Sequence, residues 1–230
     1  MLPVLPVVNT MEYRKYLSET VGTFALVFCG TGAIIINQET NGVITHAGIA
    51  MTFGLIVAAM IFALGDVSGA HLNPAVTIAF TLAKRFPLKQ VVPFIISQIA
   101  GAFLASGLLL FLFPENDSLG ATLPAGSEMQ SFVMEVILTF ILVMVIFNVS
   151  TGAREKGITA AIAIGSTVGL EAMFAGPVCG ASMNPVRSLS PAIVSSHTEH
   201  LWIYLLAPLT GAFLGVIIHQ ILYNTKKQYD

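Results

Sequence analysis

Long apolar runs separated by short polar segments organise this chain. Six of them, near 16–37, 46–66, 89–113, 129–149, 157–175 and 201–223, carry few charges. Each is close to the roughly 20 residues that a helix needs to cross a hydrocarbon core about 30 Å thick. Apolarity this continuous predicts helices rather than barrel strands, in which apolar and polar positions alternate over about 10 residues. Two shorter apolar stretches, 73–83 and 184–194, stand between spans and are too short to cross. Each opens on Asn-Pro, and Asn is a strong N-cap while Pro suits the first helical position. At 1.5 Å per residue each stretch is roughly 16 Å long, so two meeting head to head make about one bilayer thickness. The pattern predicts an all-α membrane protein with six transmembrane helices and two half-helices.

Composition strengthens that reading. Of 230 residues, 55% are hydrophobic and 10% charged, and the mean hydropathy of +0.84 is far above that of soluble domains. The first run is longer than a signal peptide's apolar region and holds Gly22, Gly30 and Gly32 internally, so a retained helix is expected. Cys29 and Cys179 have no paired spacing, which supports neither a disulfide framework nor a metal site.

The net charge of −2 conceals an asymmetry. Arg14 and Lys15 precede the first span, Lys84, Arg85 and Lys89 follow the second, Arg154 and Lys156 follow the fourth, and Lys226 and Lys227 follow the sixth. The positive-inside rule puts those segments in the cytoplasm, with both termini. Arg187 alone among the Lys and Arg residues falls on the external side, in an apolar setting, and so calls for a functional explanation.

The chain also repeats itself. Glu19-Thr20-Val21-Gly22-Thr23-Phe24 and Glu135-Val136-Ile137-Leu138-Thr139-Phe140 share the pattern E-x-x-x-T-F. The string 68–76 matches 179–187 in outline, and Gly101-Ala102-Phe103 matches Gly211-Ala212-Phe213, at offsets of about 110 to 116 residues. A single domain over 1–230 is expected, made of halves 11–113 and 129–223 joined by an extracellular polar loop 114–128. Three spans per half invert the second copy, so the half-helices enter from opposite faces. Non-helical backbone at that depth is tolerated only where it is buried or lines a water-filled cavity, which implies a pore.

Two Asn-Pro boxes, SGAHLNPAVT at 68–77, NPVRS at 184–188 and the twin glutamate-bearing spans resemble the aquaporin, or major intrinsic protein, superfamily over nearly the whole chain. The resemblance implies a right-handed helical bundle and a passive channel rather than an enzyme. It places Asn73-Pro74-Ala75 and Asn184-Pro185-Val186 at the midplane, with Val186 where most members carry Ala. Each Asn would cap its helix and also donate to a passing oxygen. The two positive dipole ends would oppose cations and protons. Carried over by spacing, the family's outer filter becomes Phe53, Ala172, Ala181 and Arg187. Water-selective members typically place His where Ala172 stands, so a wider pore for neutral solutes is expected.

For Glu19 and Glu135 the resemblance implies acceptors that fix the loops leading to the boxes, whereas buried ionisable residues in a membrane also read as a proton relay. His71 is either a vestibule residue or a structural histidine, Cys179 either reachable from outside or a buried small side chain. The rival role for Arg187 is an ion pair with Glu171. Ser188, Ala192, Tyr204 and Leu205, with RFPLKQV at 85–91 and GATLPAG at 120–126, are similar to nodulin-like intrinsic proteins, although Phe53 is more typical of water channels.

The resemblance implies glycerol, urea and metalloid acids such as boric, silicic or arsenious acid as solutes beside water. It also implies a homotetramer in the lipid bilayer of a plasma or inner membrane. A water-selective pore, an inverted-repeat transporter and a closed structural protein are the alternatives. No nucleophile-base pair, metal cluster or phosphate loop appears, so neither an enzyme, a cofactor, a metal nor a nucleic-acid partner is expected. In the absence of long termini, little room for regulatory tails is expected.

Overall fold

In a computed structural model the apolar runs are helices. The structure describes residues 10–150 and 158–223, so Arg154, Lys156, Lys226 and Lys227, which entered the charge argument, lie outside the described residues. The elements are α1 (Thr10–Glu39), α2 (Thr45–Ser68), α3 (Pro74–Leu82), a 3-10 turn at Leu88–Gln90, α4 (Val91–Leu112), α5 (Glu128–Val149), α6 (Ile158–Cys179), α7 (Pro185–Val194) and α8 (Leu201–Tyr223). Six of these are long and apolar enough to cross a membrane.

Two boundaries differ from the apolar pattern for physical reasons. With 30 residues, α1 is about 45 Å long, longer than the hydrocarbon core. Its polar opening turns are therefore helical without being apolar. The second is α6, which runs through Pro177 to Cys179 instead of ending near 175. Proline removes the N–H that should reach the carbonyl four residues back. That carbonyl, on Met173, is bonded instead by His46 Nε2 at 2.7 Å.

The heaviest helix contacts pair α1 with α4, α5 with α8, and α2 with α6. The last pair depends on the absence of side chains. A Cβ on Gly54 would lie 2.6 Å from the Gly165 carbonyl oxygen, and one on Gly165 would lie 2.5 Å from the Gly54 carbonyl oxygen. Gly54→Val is expected to lower the thermal midpoint in detergent, since overpacking costs about 1–3 kcal/mol. An unchanged midpoint would mean that α2 and α6 separate freely. Leu55, Ile96, Leu104, Ile162 and Leu206 remain exposed on the outer faces, apolar surface that suits lipid.

The half-helices start as their sequences dictate. Asn73 (φ −157°, ψ 123°) and Asn184 (φ −145°, ψ 110°) are extended caps, not helical residues, and Pro74 and Pro185 occupy the first turns. Asn73 Oδ1 accepts from Ala75 N–H at 2.9 Å and Asn184 Oδ1 from Val186 N–H at 3.2 Å. Before each cap the backbone turns left-handed at non-glycine residues, Ala70 and Leu72 in one loop, Ala181 and Met183 in the other. Such residues cost about 1–2 kcal/mol each and persist only where the surroundings hold them.

Candidate functional site

Buried carboxylates hold these loops. Glu19, on α1, accepts the His71 N–H on Oε1 at 2.9 Å and the Leu72 N–H on Oε2 at 2.8 Å. Glu135, on α5, accepts the Ser182 N–H at 2.6 Å and the Met183 N–H at 2.8 Å. Neither carboxylate is exposed, and neither lines the large cavity described below. Both oxygens of each carboxylate thus accept from loop backbone, which is the contact the loop-fixing reading expects. Anchoring the N–H groups leaves the carbonyls free. Among the described residues, no protein donor reaches those of Gly69, Ala70, His71, Gly180, Ala181 or Ser182.

The two loops are also stitched to each other. Asn73 Nδ2 donates to the Met183 carbonyl at 2.8 Å, and Asn184 Nδ2 donates to the Leu72 carbonyl at 2.9 Å. An amide NH2 has two hydrogens, so one N–H of each Asn is committed across the junction and one is left. The resemblance implies donation to a passing oxygen and gives no sign of this bond across the junction. The cross-bond is invisible in sequence because its acceptor is a carbonyl 110 or 112 residues away. Ala75 and Val186 are buried in the same apolar core and Pro74 and Pro185 are buried with them, so the boxes contribute packing as well as donors.

A cavity of about 570 Å3 runs past these loops. Its walls include Phe53, Val57, Ile164, Val168, Asn73, Asn184, Ala181, Arg187 and His71. Three of the four residues assigned to the outer filter thus face one space. The fourth, Ala172, is buried on α6 one turn after Val168, and its methyl does not reach the wall. At that position a side chain must be longer than Ala to narrow the path.

Arg187 is 2% exposed. Its Nη1 donates to the Gly120 carbonyl at 2.9 Å, and its guanidinium carbon lies 4.9 Å from the centre of the Phe53 ring. Glu171 is not its partner: both Glu171 oxygens are buried without a hydrogen bond among the described residues. The seat comes from the 114–128 segment, which is more than a linker. Thr122 Oγ1 donates to Ser188 Oγ at 2.7 Å, Ser188 Oγ bonds Ser182 Oγ at 2.6 Å, and Ala125 N–H reaches the Val178 carbonyl at 3.0 Å. Gly120 and Thr122 were legible in sequence only as turn and resemblance residues.

His71 lines the cavity and is also held by its neighbours. Its Nδ1 lies 3.1 Å from Thr77 Oγ1 and the ring stacks on Phe80 at 4.9 Å. Cys179 is fully buried, bonds the Ala175 carbonyl at 3.5 Å and does not line the cavity. No cluster of three or more potential metal ligands occurs among the described residues.

Comparison with known proteins points the same way. The sequence model of the family described as Major intrinsic protein matches residues 7–219. Nodulin-26 of Glycine max is 46% identical over 215 residues, covering 93% of this chain and 79% of that protein. Aquaporin NIP3-1 of Arabidopsis thaliana is 43% identical over 233 residues, covering 98% and 72%. Among solved structures, the aquaglyceroporin from Plasmodium falciparum superposes with a TM-score of 0.80 at 26% identity, over 94% of this chain and 99% of that one. With six membrane-crossing helices and two capped half-helices around one cavity, this multi-pass membrane protein belongs to the major intrinsic protein family of channels.

Proposed function

We propose that the cavity is a passive path for water and small uncharged solutes of the size of glycerol, urea or a metalloid acid, closed to ions and protons. The observation that carries this reading is the small outer wall. Beside the Arg187–Phe53 pair the cavity wall carries the small Ala181, while Ala172, buried on α6, does not line it. An arginine whose donors face a neutral solute's oxygens, with room beside it, favours hydroxylated molecules over strict water selection. At the junction, the second N–H of Asn73 and of Asn184 offers a passing oxygen a donor, while the starts of α3 and α7 direct positive dipole ends at it. The free carbonyls of both loops then accept from the same solute. In this reading His71 belongs to the cytoplasmic vestibule, both termini face the cytoplasm of a plasma or inner membrane, and four copies assemble with one pore each.

Proteoliposomes in a stopped-flow light-scattering experiment are expected to swell in inward gradients of glycerol, urea and boric acid as well as to respond to osmotic water gradients. Water flux with rejection of all three solutes would establish a water-selective pore instead. Saturable flux that depends on a co-transported ion would establish a transporter.

A further inference from the structure

The cytoplasmic end of the cavity carries a second arginine over a phenylalanine. Lys84 adopts φ 58° after α3, and the Arg85 N–H bonds back to the Phe80 carbonyl at 2.8 Å. This turn carries the Arg85 side chain to the cavity wall. Its guanidinium carbon is 4.9 Å from the centre of the Phe147 ring, the same separation as Arg187 from Phe53. Nη1 donates to the Phe147 carbonyl at 3.3 Å, and Nη2 lies 2.9 Å from His219 Nε2.

The last contact fixes a protonation state by chemistry alone. A guanidinium has only donors, so His219 Nε2 must be the acceptor, and the ring is neutral with its hydrogen on Nδ1. Adding a proton to Nε2 removes the acceptor and sets two cations at hydrogen-bond distance. His219 is 6% exposed, so little water screens that repulsion. Among the described residues, the ionisable groups facing His219 are Arg85 and, on its own helix, Tyr223, with the ring centres of His219 and Tyr223 4.7 Å apart. From α5 it meets the Phe147 ring. The acids of α5 lie elsewhere: Glu128 bonds His200 at the start of α8, and Glu135 holds Ser182 and Met183. Neither α3 nor α7 supplies an acid. Asp66 on α2, however, lines the same cavity as Arg85.

We propose that Arg85 is a second permeation-determining residue, held back against Phe147 by neutral His219, and that protonation of His219 releases it toward Asp66 across the mouth. The inference rests on the cavity being the permeation path. In the released state the guanidinium narrows the cytoplasmic entrance, so acid closes the pore.

The test is water and glycerol permeability of proteoliposomes with equal pH inside and out, scanned from about pH 8 to about pH 4, because a guanidinium at hydrogen-bond distance opposes charging of the ring. Wild type is expected to lose permeability several-fold toward the acid end. His219→Gln keeps an acceptor oxygen and cannot titrate, so its permeability should stay at the neutral-pH level throughout. Asp66→Asn should show a smaller acid loss than wild type. A flat or rising wild-type profile, or a His219→Gln profile as steep as wild type, overturns the latch. Absence of water and glycerol flux at every pH would instead overturn the permeation path itself.

Discussion

Replacing Arg187 by valine should make the pore leak cations and protons. The guanidinium sits in the cavity wall almost without solvent contact, and its seating partner is a neutral carbonyl rather than a carboxylate. A cation passing about 5 Å away meets roughly 3 kcal/mol of repulsion at an effective dielectric near 20, equivalent to about a hundredfold in rate. Valine removes that barrier and leaves the dipole ends of α3 and α7. Arg187→Lys keeps the charge and loses the planar fork, so it should preserve exclusion while loosening the contact with Gly120. Potassium and proton fluxes into dye-loaded proteoliposomes distinguish these variants. Unchanged exclusion in Arg187→Val would transfer the whole task to the midplane dipoles.

Ala172→His is expected to give the second large effect, a steep fall in glycerol and urea flux with a much smaller fall in water flux. Val168, one turn earlier on α6, lines the cavity, and Ala172 follows on the same face with a side chain too short to reach the lumen. An imidazole there would extend toward Arg187 and Phe53, narrowing the gap by several atoms and adding a hydrogen-bonding group. Water passes a gap that a three-carbon polyol cannot. The ratio of solute to water permeability is the decisive measurement, because equal losses of both would indicate a folding defect or a different constriction. A circular-dichroism spectrum matching wild type separates the last two.

Much of this architecture was legible because bilayer physics leaves few options. A run of about 20 apolar residues has one stable form in lipid, so the six long helices lie where the pattern puts them, apart from ends set by local chemistry. The polar turns that extend α1 and the His46 contact that lets α6 pass Pro177 are invisible to an apolar count. Asn73-Pro74 and Asn184-Pro185 announced helix starts through local capping rules, which need only neighbouring residues. Arg187 stood out as the lone cation in an apolar external stretch.

What could not be read were bonds between atoms far apart in the chain whose partner is a backbone carbonyl. Any residue supplies a carbonyl, so neither the Gly120 seat of Arg187 nor the Asn73–Met183 and Asn184–Leu72 stitches leave a mark on residue type. Glu171 looked like a partner for Arg187 by proximity in sequence, yet α6 carries it to a place where it bonds nothing described. Arg85 was counted only as a cytoplasmic charge, and its meeting with His219, 134 residues on, exists solely through packing. The sequence by itself determined the spans, the half-helix starts and the family resemblance, since those follow from hydrophobic length and local capping. Tertiary structure alone decided how the amide donors are shared, what seats each arginine and how far Ala172 stands from the lumen, because these depend on backbone placement that residue identity does not encode.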